Sequence, residues 1–98
     1  MFVNVIKTYR DVVAICDSEL LGKYFEEEDF QLDIKESFYK GKETPEKEAI
    51  EIMQEMALED ATFNIVGRES TKAAIKAGII IQSQIGQISG IPFALVLI

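Results

Sequence analysis

The first third of the chain alternates between hydrophobic and polar positions with the two-residue period of β-strands. Residues 2–9 alternate loosely and are rich in β-branched and aromatic types, which favours a strand. Residues 10–11 suit a turn, and the apolar run at 12–16 predicts a second strand, so a hairpin is expected. Residues 30–35 alternate strictly and predict a third strand that is half-buried.

The segment 14–22 is predicted to leave the second strand through a short helical turn. Asp17 and Ser18 are both side chains that accept a free backbone N–H at a helix start. Glu19 then falls in the first turn, where the helix dipole favours negative charge. Gly22 can adopt the left-handed conformation that ends a helix. We therefore expect the strand to be followed by an N-cap and then by one or two helical turns that end at Gly22.

Two stretches are predicted as loops. Residues 26–29 are four consecutive acids, which could offer oxygen ligands to a hard cation. No calcium-loop spacing accompanies them, so a solvated loop is the expected structure. Residues 38–41 are predicted to anchor the exit loop of the third strand.

Two helices are predicted in the second half of the chain. The first begins at Thr44-Pro45, because threonine can cap and proline is tolerated at the first helical position, and it runs to about Ala61. Its apolar side chains fall at helical spacing on one stripe: Ala49, Ile50, Met53, Met56 and Ala57. The second helix is predicted over residues 68–77, with Gly78 as its stop.

Residues 91–98 are almost continuously hydrophobic and have two interpretations. As a central strand, this segment would simply be part of the hydrophobic core. As an edge strand, it would need another chain to pair with it. Pro92 has no backbone N–H to donate to a neighbouring strand, which favours an edge or a loop for the beginning of this segment. A homodimer across this segment is therefore a candidate, with these interface residues: Ile91, Pro92, Phe93, Leu95 and Leu97.

The order of these elements predicts one α+β domain over residues 1–98, with mostly antiparallel short strands packed on two main helices. A chain of 98 residues with 48% hydrophobic content supplies one modest core. A single cysteine excludes an internal disulfide and fits a reducing compartment. No apolar run reaches the roughly 20 residues of a membrane span. We expect a cytoplasmic protein with no membrane partner.

The net charge of −7 is unevenly distributed. Residues 11–60 carry sixteen acids against five bases, whereas residues 61–98 carry three bases against one acid, Glu69. A charged partner would therefore meet either an acidic side or a weakly basic one.

Several chemistries lack the residues they need. The chain has no histidine and one cysteine, so Cys/His zinc sites and Ser-His or Cys-His catalytic pairs are excluded within it. No glycine pattern typical of nucleotide binding is present. Carboxylate chemistry stays open, although no spacing singles out a pair. We predict no cofactor, no metal and no catalytic residue.

Cys16 and Asp17 are the first candidates for chemistry. A cysteine at a helix N-terminus can have a lowered pKa, but the adjacent Asp17 charge disfavours the thiolate. A small buried hydrophobe is the favoured interpretation of Cys16. The alternative is a small-ligand-binding protein or enzyme with a pocket near Cys16, Asp17, Asn64 and Glu69.

The second predicted helix carries the better candidate. Arg68, Lys72 and Lys76 recur at steps of four and form one cationic stripe, the pattern expected for binding a phosphate backbone. The negative helix C-terminus alone would account for Lys76, but Arg68 sits near the positive end. Three charges alone make a weak site, and a merely solvated face is the interpretation that the stripe by itself favours.

Four segments, at residues 14–22, 38–41, 64–70 and 88–92, occur in an order and spacing that resemble the archaeal family known as domain of unknown function 424. The resemblance covers essentially the whole chain. It implies an archaeal cytoplasmic protein, for which a housekeeping role such as translation would be in keeping. Phe93 stands where that family often has a histidine, so no role of such a histidine carries over.

We therefore predict a non-enzymatic binding or interaction protein, with RNA or a ribonucleoprotein as partner and no signature of DNA binding. A third possibility is that this chain is a purely structural partner, whose acidic face docks on a basic protein. The candidate binding residues lie in one segment: Asn64, Gly67, Arg68, Glu69, Lys72 and Lys76.

Overall fold

The computed structural model describes residues 1–97, so Ile98 at the end of the predicted apolar run lies outside the described residues. The strands are β1 (Phe2–Ile6), β2 (Val12–Cys16), β3 (Tyr24–Glu27), β4 (Phe30–Asp33), β5 (Lys42–Glu43), β6 (Thr62–Val66), β7 (Gly86–Ile88) and β8 (Ile91–Val96). The helices are α1 (Glu36–Tyr39), α2 (Glu46–Leu58) and α3 (Arg68–Lys76).

Six strands form one mixed sheet in the order β5-β1-β2-β6-β8-β7, and β3 and β4 form a separate hairpin. Strands β2 and β6 run parallel, while every other neighbouring pair of the described strands is antiparallel. The predicted β1–β2 hairpin, the α+β class and helix α3 are confirmed.

The sheet buries both of its faces, and the alternation of each strand sends its side chains to two hydrophobic cores. On one face, Val13 and Ile15 of β2 and Phe63 of β6 pack with α2 and α3. On the other face, Cys16 and Val66 pack with residues of the β3–β4 hairpin and α1. Strand β6 leads directly into α3, and the end of β2 lies beside this junction because Cys16 pairs with Val66.

Several predicted boundaries are wrong. Strand β1 ends at Ile6, because residues 7–10 are exposed and form the turn. The acidic run is divided between β3 and the turn of its hairpin, and residues 38–41 include the end of α1 rather than only a loop. Helix α2 starts after Pro45, and the Thr44 hydroxyl donates to the Lys42 carbonyl at 2.7 Å instead of capping the helix.

Strand β6 is the central one of the elements that the hydrophobic pattern did not predict, which also include β3, β5 and α1. It lies in the middle of the sheet, paired with β2 on one side and β8 on the other. Its Phe63 and Ile65 are buried while Thr62 and Asn64 are half-buried, which is the alternation of a strand over only five residues. Its partner β2 lies far away along the chain, so no local hairpin signal announces it.

Pro92 lies inside β8, and β7 rather than β8 forms the edge of the sheet, so the predicted edge or loop position is wrong. The Pro92 carbonyl accepts from the Gly67 N–H at 2.8 Å. An antiparallel strand would return a bond from residue 92 to the Gly67 carbonyl. That carbonyl instead accepts from the Thr71 N–H at 2.9 Å, so the missing donor of proline leaves nothing unpaired.

Candidate functional site

The N-terminus of α3 is held by a side chain from a different part of the chain. The backbone N–H groups of Glu69 and Ser70 donate to the Asp17 carboxylate at 3.1 Å and 2.8 Å, and the Ser70 hydroxyl donates to it at 2.7 Å. Asp17 is only 3% exposed. A carboxylate here satisfies free helix donors and meets the positive end of the helix dipole.

Asp17 was predicted to cap its own short helical turn, and this is wrong. The turn at Ser18–Leu20 receives no side-chain cap from Asp17. Strand β2 ends beside the end of β6, where the Asp17 N–H donates to the Val66 carbonyl at 3.0 Å. The side chain is therefore aimed at the helix that follows β6.

Gly67 makes this junction sterically possible. Its φ of +111° is a conformation that L side chains rarely adopt. A Cβ built at this position would lie 2.2 Å from Asp17 Cγ. The predicted candidate Gly67 is thus explained by the close approach of the capping carboxylate.

Cys16 lies fully buried beside this junction. Burial, reinforced by the Asp17 charge, raises the pKa of the Cys16 thiol from 9.0 to about 11. Burial, with a smaller contribution from Cys16, also raises the pKa of Tyr39 to about 12. A neutral, buried thiol is a poor nucleophile.

The structure does not gather the four residues of the alternative pocket around one cavity. A cavity of about 260 Å³ lies over the junction and is lined by Asp17 and Glu69, but by neither Cys16 nor Asn64. Asn64 is half-buried in β6 between Ala14 and Leu95. Strand alternation places its side chain on the same face as Val66, opposite α2 and α3.

The outer surface of α3 borders a groove of about 430 Å³. Arg68, Lys72 and Lys76 all line this groove and are all exposed. Its opposite wall comes from the segment between α3 and the end of the sheet. The residues contributed by that wall are Gln82, Ile85, Gln87 and Pro92.

The groove combines positive charge with amide groups. Gln82 and Gln87 are exposed, and each amide offers both donors and acceptors. Within residues 1–97, no carboxylate side chain lines the groove. The groove therefore suits an anionic ligand that also carries hydrogen-bonding groups.

A larger cavity, of about 590 Å³, lies on the other side of α3 and shares Lys72 with the groove. Its lining contains Glu43, Glu46 and Glu69. Two of these acids are engaged: Glu43 lies 3.2 Å from the amino-terminal ammonium, and Glu46 lies 2.8 Å from Lys76 Nζ. The acidic lining makes this cavity unsuited to the anion that the groove favours.

Comparison with known proteins bears on this architecture. Residues 6–98 match the family described as "Protein of unknown function (DUF424)". The chain belongs to this family. The resemblance that the four segments suggested is thereby confirmed. No curated protein matches the chain.

A solved structure shows the same DUF424 architecture. It is the crystal structure of an uncharacterized conserved protein from Methanopyrus kandleri, which is 27% identical in sequence to this chain. The match has a TM-score of 0.88 and covers 97% of this chain and 88% of that chain. The arrangement of the sheet and α3 in this DUF424 chain is thus also found in an archaeal relative.

The predicted interface residues of this DUF424 chain divide into two groups. Pro92 is buried, and Ile91 and Phe93 pack against the second core beside β7. Leu95 and Leu97 are 53% and 75% exposed. Leu95 and Leu97 are thus the most exposed of the five residues, and the homodimer stays a prediction.

Two features are absent from residues 1–97. No helix in this part of the chain is long and apolar enough to cross a membrane. No group of three or more cysteine or carboxylate side chains there is arranged to hold a metal ion.

Sequence reasoning missed the second wall of the groove. Gln82 and Gln87 lie in a stretch without acids, in which no acid follows Glu69. A polar, acid-free stretch directly after a cationic helix was the available signal. Only the fold places it opposite the cationic side chains.

Proposed function

We propose that this protein is a non-enzymatic RNA-binding protein that holds the phosphate backbone in the groove along α3. The observation that carries the proposal is that Arg68, Lys72 and Lys76 line one groove together with glutamine amides. Cationic side chains on one exposed face attract phosphates even when the net charge of a protein is negative.

RNA is favoured over DNA because of the groove's polar wall. The amides of Gln82 and Gln87 can hydrogen-bond a ribose 2′-hydroxyl, the group by which a protein tells RNA from DNA. No aromatic side chain within residues 1–97 lines the groove, so stacking of unpaired bases contributes little there. We therefore expect the backbone of a folded RNA, rather than bases of a single strand, to occupy it.

The test is binding of a fluorescein-labelled RNA hairpin, measured by fluorescence anisotropy at low salt. Replacing the two cations Arg68→Gln and Lys72→Gln together should weaken binding by about tenfold or more, and raising salt from about 50 to 200 mM should weaken the unmodified protein similarly. The DNA hairpin of the same sequence should bind more weakly, and so should oligouridine.

The matched control removes two exposed lysines elsewhere, Lys23→Gln with Lys47→Gln. It changes the net charge equally and should leave binding nearly unchanged. Equal losses in both double variants, or no binding by the unmodified protein, would overturn the proposed function.

A further inference from the structure

We infer that Glu46 of α2 is an internal counterion that withholds Lys76 from the ligand, so that RNA phosphates are held by Arg68 and Lys72. This inference rests on the proposed RNA binding and deepens it. The three cations look alike in the sequence, but they differ in the fold: Arg68 and Lys72 are available to a ligand, whereas Lys76 is paired with Glu46.

The contact is direct. Lys76 Nζ donates to Glu46 Oε1 at 2.8 Å, and the two side chains remain 49% and 39% exposed. This contact is shorter than the ion pairs of Lys7, Lys35, Lys42 and the amino-terminal ammonium, which span 3.2–3.9 Å. The hydrogen bond from Lys76 lowers the pKa of the Glu46 carboxyl, and the Lys76 and Lys72 charges add to this effect. Glu46 is therefore ionised, and its charge opposes that of Lys76, at neutral pH.

Each partner is also favoured where it stands by its own helix. Glu46 occupies the first turn of α2, and Lys76 occupies the last turn of α3. An acid near a helix N-terminus and a base near a C-terminus both interact favourably with the helix dipole. The pair therefore forms between two charges that their own helices favour at these positions.

Arg68 and Lys72 differ from Lys76 in this respect. Among residues 1–97, neither makes an ion pair with a carboxylate. Arg68 is the first residue of α3, and its side chain lines the groove at the end away from Lys76. A phosphate should therefore be held toward the Arg68 and Lys72 end of the groove.

The salt dependence of binding reports how many phosphates are neutralised, since log K falls by about 0.7 to 0.9 per phosphate for each unit of log salt. Removing Glu46 should free Lys76 and add one phosphate contact. We expect Glu46→Gln to bind the RNA hairpin about two- to fivefold more tightly at low salt, with a salt slope steeper by about 0.7 to 0.9.

Two variants make the measurement specific. Glu51→Gln removes an equal charge from an exposed position of the same helix, and it should leave the slope unchanged. The double variant Glu46→Gln with Lys76→Gln keeps the net charge of the unmodified protein and should return affinity and slope to its values.

The outcomes separate the two proposals. If the unmodified protein binds RNA through Arg68 and Lys72 but Glu46→Gln matches Glu51→Gln in affinity and slope, the counterion role is wrong while the function stands. If the unmodified protein does not bind RNA, the function itself fails. Thermal unfolding of each variant checks that the fold is retained.

Discussion

The N-terminal cap and the outer surface of helix α3 use polar side chains in opposite ways. At its N-terminus the Asp17 carboxylate is buried and accepts three hydrogen bonds. Along its outer surface, Arg68 and Lys72 are exposed and make no ion pair among the described residues. A saturated, buried polar group stabilises the fold, whereas an exposed charge without a partner is free to bind something else.

The comparison separates structure from function inside a single candidate segment. Residues 64–70 suggest a site in sequence because they combine an amide, a glycine, charges and a hydroxyl. In the fold, Gly67 and Ser70 serve the junction with Asp17, and Asn64 lies in the sheet. Substitutions at the Asp17 junction and on the outer surface of α3 should therefore affect different measurements.

The largest expected effect is that of Asp17→Ala. It leaves two helix N–H donors and the buried Ser70 hydroxyl without their acceptor, so unfolding in urea should become easier by about 3–5 kcal/mol. Asp17→Asn keeps one acceptor oxygen and should cost about half as much. Asp29→Asn, at an exposed turn, serves as control. A loss below about 1 kcal/mol for Asp17→Ala would contradict the junction's structural role.

Gly67→Ala should come next, with a loss of about 2–4 kcal/mol, because the new Cβ meets the Asp17 carboxylate in a strained backbone conformation. Gly78→Ala is the matched control, since Gly78 has a φ of +78° but open space around it. It should cost only about 1 kcal/mol. Equal losses for the two substitutions would show that close approach to Asp17 does not matter.

Alkaline pH should weaken the same region by a smaller amount. The pKa of Cys16 is raised from 9.0 to about 11, so the folded state favours the protonated thiol. Its stabilisation is complete below pH 9 and is lost as the pH rises toward 11, at a cost of about 2–3 kcal/mol. Tyr39, whose pKa is raised to about 12, extends the loss above pH 10.

Urea unfolding from pH 7 to pH 11 measures this loss, with Cys16→Ala as the comparison. Cys16→Ala should be less stable at pH 7. Its free energy of unfolding should then fall less between pH 9 and 10, where the thiol but not the tyrosine contributes to the loss. Identical pH profiles for the two proteins would exclude the buried thiol as the cause.

The smallest effect on stability should come from the cationic surface. Arg68→Gln with Lys72→Gln should change the free energy of unfolding by less than about 0.5 kcal/mol, because both side chains are exposed and unpaired. The same variant is expected to lose RNA binding. A stability loss comparable to that of Asp17→Ala would mean that the Asp17 junction and the outer surface of α3 do not have separate roles.

Local signals in the sequence were sufficient for some elements. The β1–β2 hairpin follows from two strand-like runs joined by a short turn, and α3 follows from its amphipathic spacing and the glycine after it. They were insufficient for β6, whose five residues alternate too briefly to outweigh the helical patterns around them. Its position depends on parallel pairing with β2, and the whole of α2 lies between these two strands along the chain.

The candidate site shows the same division. The cationic stripe could be predicted because the helix period alone places Arg68, Lys72 and Lys76 on one side. The engagement of Lys76 by Glu46 could not, because it joins two helices separated by β6. Likewise, a cap by Asp17 was expected, but the helix that it caps begins about fifty residues later.

The sequence by itself determined the fold class, the hairpin, the two main helices and the stripe of positive charge, because periodicity and capping act over a few residues. Only the tertiary structure decided which helix Asp17 caps, which lysine is neutralised and which residues face the cations across the groove. Those outcomes depend on the parallel alignment of β2 with β6, which joins distant segments and so leaves no mark within any short stretch of the chain.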